Sequence, residues 1–485
     1  AHMKHILSRR LLDIAPLFFV TGFMASASAG VLGQGEIKKS YETYCASCHG
    51  VNLEGGLGPN LIDDTWLHGS SDKDVANSIR LGNLDAGMPA WQKTLTEDQI
   101  RAMVVFISEK KFLSLQEQVK ESLKPNNGVY NTEKHNFTLS LVDSFEGLVW
   151  GLSFLPDGSW FATEREGRLW YKENNQPKRL IKGTPDTWQF KQGGLFDVIA
   201  DPDYAKKGWV YISYAENKGV KEDGKPAGMT AVARGKIVNG EWTEQQMVFS
   251  AQDKFQISRG VHFGSRFVID DDYLFFSIGE RGRMEMAQDL TRPNGKIHRV
   301  HHDGGIPKDN PFVNTKDAVK SIWSYGHRNP QGLARHPETG ELWSTEHGPR
   351  GGDEVNLIKP SLNYGWPIIT HGINYNGEPI SEKTAQEGME QPKHFWVPSI
   401  ATAGIEFYKG SVFPQWKNNL FATGLVSKEL HRVVIEGDKV IEDEILLQDD
   451  GRVRDVAVSP DGNVYIVVND NSKANGKIYR LDPVK

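Results

Sequence analysis

One phrase recurs at both ends of the long second part of this chain. It reads Leu155-Pro156-Asp157-Gly158-Ser159-Trp160-Phe161 near the start and Ser459-Pro460-Asp461-Gly462-Asn463-Val464-Tyr465 near the end. Each is a Pro-Asp-Gly turn opening a strand: proline presets φ, and glycine accepts the positive φ that the turn needs. A second glycine turn and strand follow each copy, Gly167-Arg168-Leu169-Trp170 and Gly476-Lys477-Ile478-Tyr479-Arg480. Phe267 to Phe276 and His336 to Trp343 are looser copies. Short strands repeated from about residue 137, without long helical periodicity, specify a β-propeller, whose blades take about 40–50 residues each. The stretch then holds six or seven blades plus insertions. A β-sandwich with coincidental turn repeats is the alternative. Glycine (49) and tryptophan (13) contents fit a turn-dense β architecture. Propeller ligands sit over the central channel, on loops from several blades.

A chain of 485 residues exceeds one ordinary core, so a second domain is expected before the repeats. Both cysteines of the chain lie in Cys45-Ala46-Ser47-Cys48-His49. That rules out a disulfide framework. Zinc needs two more soft ligands at matching spacing, and a thioredoxin-like site has no use for the adjacent histidine. Covalent haem attachment uses every residue: Cys45 and Cys48 supply thioethers and His49 the proximal iron ligand. Glu36 to Tyr44 reads as a helix feeding the pentad. The second axial ligand is expected downstream. Met103 sits in an amphipathic helix with Ile100, Val104 and Ile107, opened by a Thr96/Gln99 capping box, and reads as core. Met88, in Gly87-Met88-Pro89-Ala90-Trp91, projects from an irregular loop and is the assigned ligand. This order of elements resembles small class I cytochromes c.

Ala1-His2-Met3 reads as a cloning scar. Basic Lys4, His5, Arg9 and Arg10, an apolar Leu11 to Met24 and the small residues Ala25 to Ala29 then read as a secretory signal peptide. The apolar run is too short for a comfortable span, so no integral membrane span is expected; an uncleaved N-terminal anchor is the alternative. The address is periplasmic or secreted, and Arg9-Arg10 alone is weak evidence for twin-arginine export. A net charge of −6 gives no electrostatic case for nucleic acid. The expected divisions are 1–29 for scar and signal, 34–112 for a cytochrome c domain, 113–136 for a linker and 137–485 for the propeller. The fold class is mainly β: a propeller preceded by a small all-α domain.

Polar, glycine-rich strings interrupt the strands. In order they are Lys191-Gln192-Gly193-Gly194, Val261-His262-Phe263-Gly264-Ser265-Arg266 and Gly326-His327-Arg328-Asn329-Pro330-Gln331-Gly332. Glu346 to Glu354, Asn363-Tyr364-Gly365-Trp366-Pro367 and Gly451-Arg452-Val453-Arg454-Asp455 complete the set. These strings resemble the soluble pyrroloquinoline quinone (PQQ)-dependent aldose and glucose dehydrogenases, a six-bladed propeller family, over nearly all of residues 140 to 485.

The resemblance implies His262 as catalytic base, a role suited to an imidazole that titrates near neutrality. It implies that Arg328 and Asn329 contact the quinone oxygens, Arg328 stabilising charge that develops there. Arg452 and Arg454, at i and i+2, would point the same way on a strand and pair with PQQ carboxylates. Gly348 and Pro349 carbonyls would hold the calcium ion on PQQ, and Glu354 with the Tyr364 carbonyl a second, structural calcium. Gln192, Trp396, Tyr375, Asn376 and Gly377 would line the cofactor and substrate. Two departures stand out. Val261 replaces an acidic residue that some members carry before the histidine. The family lysine aligns with Val426, leaving Lys428 as a substitute. The implied cofactors are PQQ, Ca²⁺ and haem c, and the implied partners an aldose and a downstream electron acceptor. The implied function is oxidation of aldoses to lactones, with electrons passing from PQQ to haem. A calcium-dependent propeller hydrolase, lactonase-like, or a non-catalytic sugar-binding propeller is the alternative.

Overall fold

The computed structural model describes residues 34–485, apart from 64, 373–379, 382, 449–450, 471–474 and 485; side chains at 34–35, 112 and 115–122 are also outside the description. The signal segment therefore lies outside the described residues, as do Tyr375, Asn376 and Gly377.

Four helices come first: α1 Gln34–Tyr44, α2 Ala46–His49, α3 Asp72–Leu81 and α4 Glu97–Leu123. Reciprocal capping boxes, Ser71 with Asp74 and Thr96 with Gln99, start α3 and α4. Ile37, Tyr41, Leu53, Val75, Ile79, Ile100, Met103 and Ile107 form one buried core. Met103 belongs to it, as its helical spacing predicts. Helix α4 continues to Leu123, so the first part of the stretch expected as linker is helical.

The rest is a ring of six four-stranded antiparallel sheets. Blade 1 spans strands 149–181, blade 2 195–249, blade 3 267–325, blade 4 330–396 and blade 5 402–448. Blade 6 takes its inner strands from residues 452–483 and its outermost from Phe137–Ser144, which pairs antiparallel with Gly476–Pro483. Hydrogen bonds thus join the two ends of the domain, and the ring closes without a free seam.

The Pro-Asp-Gly turns form as expected: Gly158 donates to the Leu155 carbonyl and Gly462 to the Ser459 carbonyl, both with left-handed φ (86° and 85°). An apolar cluster fills the gap between each adjacent pair of blades. Each buried aliphatic or aromatic side chain there contributes roughly 1.5–3 kcal/mol.

The innermost strands of blades 1, 2, 4, 5 and 6 all shift register near their start, at Val149/Gly151, Leu195/Val198, Pro330/Gly332, Thr402/Ile405 and Val453/Asp455. Such bulges bend the strand and re-aim side chains. Below them Arg266 ties the ring together. Its Nη1 lies 3.3 Å from Asp197 and 3.1 Å from Asp455, its Nε donates to the Gln331 carbonyl, and it stacks over Trp150.

Candidate active site and haem-attachment site

His262 lies just before the inner strand of blade 3 with a left-handed backbone (φ 53°), a conformation costing a non-glycine residue ~1–2 kcal/mol. Three neighbours hold it there. The Gln192 side chain accepts its backbone N–H at 3.0 Å. The carboxylate of Glu280, itself fully buried, makes a short hydrogen bond with Nδ1. Arg281 donates to the Val261 carbonyl at 2.9 Å and to that of Arg259, and stacks 3.7 Å over Phe263. Gly279 allows this approach, since a Cβ there would fall 2.2 Å from the His262 carbonyl. Burial, then the Arg328 guanidinium, holds the His262 pKa below its ordinary value, while Glu280 acts against both. His262 therefore presents Nε2 as a neutral base near pH 7.

Cationic groups gather beside it. Arg328 donates its backbone N–H to Glu346 at 2.8 Å and its Nη1 to the His347 carbonyl at 3.1 Å, and lies over Trp366. Asn329 accepts from the Gly264 amide at 3.0 Å, joining blades 3 and 4. Burial pushes Arg454 down to about 9, and Arg452, Arg165 and Arg266 push in the same direction. Burial likewise holds His347 well below the usual imidazole range, with Arg328, His262, Arg454 and Arg452 adding to it. The Nε atoms of Arg328 and Arg454 and the Nε2 of His347 are buried without a hydrogen-bond partner among the described residues. Buried guanidinium groups with unfilled donors, beside a neutral imidazole, fit an anion with several carboxylates, which is the chemistry of PQQ.

Two carboxylates meet next to this cluster. Asn356 Nδ2 donates both to Glu346 (3.2 Å) and to Glu354 (3.0 Å), and His327 Nδ1 lies 3.4 Å from Glu346. The Tyr364 ring stacks on His327 at 4.7 Å. Burial, then the adjacent Glu346, raises the Glu354 pKa well above the carboxylate range. Buried oxygen donors of one sign fit a hard cation such as calcium. The same Glu346 anchors the Arg328 backbone, so a cation there would brace the cationic cluster. Gly348 and Pro349 occupy a loop folded onto Asp353, whose Oδ1 accepts the Gly348 amide at 2.9 Å. The Pro349 carbonyl accepts from the Ser399 hydroxyl at 2.7 Å and the Gly352 amide at 3.2 Å. Holding calcium through it requires sharing or turning that carbonyl.

In the helical domain, burial, then Cys48, pushes the Cys45 thiol up to about 11. His49 is buried, and its Nδ1 bonds the Pro59 carbonyl at 2.8 Å, which leaves Nε2 for a metal. Met88 sits in a loop pinned by paired backbone bonds to Asn83, each 2.9 Å. These donors suit a covalent haem.

Residues 147–480 match the family model described as Glucose / Sorbosone dehydrogenase, and residues 34–107 that described as Cytochrome C oxidase, cbb3-type, subunit III. The chain belongs to the glucose/sorbosone dehydrogenase family. It is 42% identical to the aldose sugar dehydrogenase YliI of Escherichia coli (strain K12) over 342 residues, 69% of this chain and 90% of that protein. It is 25% identical to quinoprotein glucose dehydrogenase B of Acinetobacter calcoaceticus over 419 residues, 69% of this chain and 84% of that one. The apo-form crystal structure of the soluble Escherichia coli aldose sugar dehydrogenase superposes with a TM-score of 0.67 at 38% identity, covering 72% of this chain and 100% of that one. The PQQ-bound aldose sugar dehydrogenase of Streptomyces coelicolor gives 0.57 at 25% identity, with coverage of 72% and 98%. This chain is thus an aldose sugar dehydrogenase-family propeller with a cytochrome c domain at its N-terminal side. Among the described residues no helix is long and apolar enough to cross a membrane.

Within the dehydrogenase propeller, three expectations from sequence need correction. Trp396 lies on the outermost strand of blade 4, buried in the core between blades 4 and 5 with its indole N–H on Asp443 at 2.8 Å. It packs at the rim and does not face the channel. Val426 and Lys428 fall in the turn between Leu420–Gly424 and Glu429–Glu436, with Lys428 at φ 61°, so strand alternation does not relate them. Arg454 is the unpaired residue of the bulge between Val453 and Asp455, so strand alternation does not set it on one face with Arg452. Sequence reasoning missed Glu280 and Arg281, and gave no role to Glu346 and His347 within their string. Gly279-Glu280-Arg281-Gly282, a charged pair between glycines at a strand end, has the same texture as the other strings and was the available signal.

Proposed function

We propose that this chain oxidises aldoses to lactones at the mouth of the propeller and delivers the electrons to the haem of its own cytochrome domain. Bound PQQ would accept the hydride that leaves the anomeric carbon, and haem iron would accept electrons one at a time. Arg328 and Asn329 would hold the quinone face, and Arg452, Arg454 and Arg165 its carboxylates. Gly348 and Pro349 would place one calcium, and Glu354, Glu346 and Tyr364 a second. His262 Nε2 takes the proton of the sugar's anomeric hydroxyl as the C–H bond breaks. The substrate thereby loses two electrons and two protons. Glu280 holds the imidazole tautomer that leaves Nε2 unprotonated and stabilises the imidazolium that forms. Cys45 and Cys48 would carry the haem between His49 and Met88. The observation that carries the reading is the neutral, carboxylate-braced His262 beside buried arginines with unfilled donors. A hydrolase or a binding propeller has no use for the tethered haem.

The test is reconstitution of the haem-bearing chain with PQQ and Ca²⁺, followed by an aldose panel, with the haem absorption recorded. Reduction by aldoses, lost when PQQ is omitted, is the expected result. A haem that dithionite reduces but no sugar does would overturn the proposal and favour the hydrolytic or binding alternatives.

A further inference from the structure

Helix α4 is buried on two sides. Ile100, Met103, Val104 and Ile107 enter the core that Cys45 and Ala46 border. A second stripe at i, i+4 and i+8, Arg101, Val105 and Glu109, meets the propeller. Arg101 donates to the Ser381 carbonyl at 2.7 Å and to the Thr370 carbonyl. Val105 Cγ1 lies where a Cβ on Gly351 would meet it at 3.3 Å. Glu109 and Arg350 form a two-pronged ion pair, one contact at 2.6 Å, with only 16% and 12% of their side chains exposed. Beside the stripe the His371 ring lies flat on Phe395, centroids 3.8 Å apart.

We infer that the Arg101–Val105–Glu109 stripe is a built-in docking surface, which fixes the cytochrome on the loop carrying Gly348 and Pro349. The inference rests on the proposed function for its purpose but on the contacts for its existence. A forked guanidinium–carboxylate pair specifies orientation, which a flexible tether does not. Arg101 donates to two backbone carbonyls of the propeller, Thr370 and Ser381, which this pose supplies. Arg350 sits between Pro349 and Gly351, so the contact that seats α4 is one residue from a carbonyl assigned to calcium. A single helix, about 10 Å across, separates the haem-attachment core from that loop. Electron tunnelling falls steeply with distance, so a fixed seat sets the transfer rate.

The test uses the full haem-bearing chain with Glu109→Lys, Arg350→Glu and the two combined. Hydrogen–deuterium exchange across 97–111 and 348–352, measured without PQQ, reports docking independently of activity. Rapid mixing of the loaded protein with aldose reports haem reduction, and an external dye reports oxidation at the propeller. Glu109→Lys is expected to raise exchange in both segments and to slow haem reduction by about tenfold or more, leaving dye-linked turnover unchanged. The charge swap restores both. Exchange unaltered by either single reversal, or slowed reduction that the swap does not rescue, overturns the docking surface. Exchange that responds as expected in a chain whose haem no aldose reduces retains the docking surface and rejects the sugar-oxidation reading.

Discussion

Replacing Glu280 by glutamine keeps the shape of the side chain and removes its charge. In the structure this carboxylate contacts His262 Nδ1 and accepts the Gly282 amide at 3.0 Å, and it is fully buried. A hydrogen bond to a charged partner contributes ~1.5–3 kcal/mol. At 1.4 kcal/mol per decade, its loss lowers kcat roughly 10- to 150-fold. The pH profile separates this role from general damage. Burial and Arg328 lower the His262 pKa while Glu280 raises it, so glutamine lowers it further. The base acts when neutral, and the acid limb of kcat/KM therefore moves to lower pH even as the plateau falls. Dye-linked aldose oxidation by the reconstituted protein, measured across pH, reads both quantities, and Glu280→Asp should recover part of the rate. A Glu280→Gln variant within about twofold of wild-type kcat, with an unmoved acid limb, would falsify the assignment of Glu280 as the orienting carboxylate.

Three further outcomes follow from the same geometry. Met88→Ala should alter the haem absorption spectrum and leave dye-linked sugar oxidation intact; an unchanged spectrum moves the axial ligand elsewhere. Arg454→Met removes a buried cation whose Nε is unfilled, and should weaken PQQ binding by roughly 10- to 100-fold in a cofactor titration. His431 is held between Asp443 (2.7 Å) and Glu429 (2.9 Å), which raise its pKa to about 10 despite burial. His431→Gln takes the cation from the buried Glu429 carboxylate and from Asp443 beside it, and should lower Tm at pH 7 by roughly 5–15 °C. The wild-type contribution is complete below the ordinary imidazole pKa and is lost as pH rises through about 10, so the two melting curves should converge there. A gap that persists above that pH would show that packing, not charge, was lost.

Features whose chemistry is contiguous were legible in the chain. The Cys45–His49 pentad carries a haem-attachment signature in five consecutive residues, and the cytochrome c family match covers it. The Thr96/Gln99 box starts a helix by bonds within one turn, and each Pro-Asp-Gly turn closes on itself. His262, Arg328 and Asn329 were singled out through the resemblance of the strings that carry them, and each string is contiguous. What joins distant positions was not legible. Blade 6 borrows Phe137–Ser144 from the far end of the domain, which settles both closure and a count of six blades. Glu280 supplies from a neighbouring loop the carboxylate missing before His262, and the bulge at Arg454 breaks the alternation on which a pairing of the arginines relied. Trp396 looked like an active-site aromatic until its strand proved to be the outermost of blade 4. Glu109 and Arg350 are 241 residues apart. Turns and helices are written by neighbours in sequence. Which carboxylate braces His262, and where the cytochrome sits, is decided only when the blades close and distant loops share one mouth.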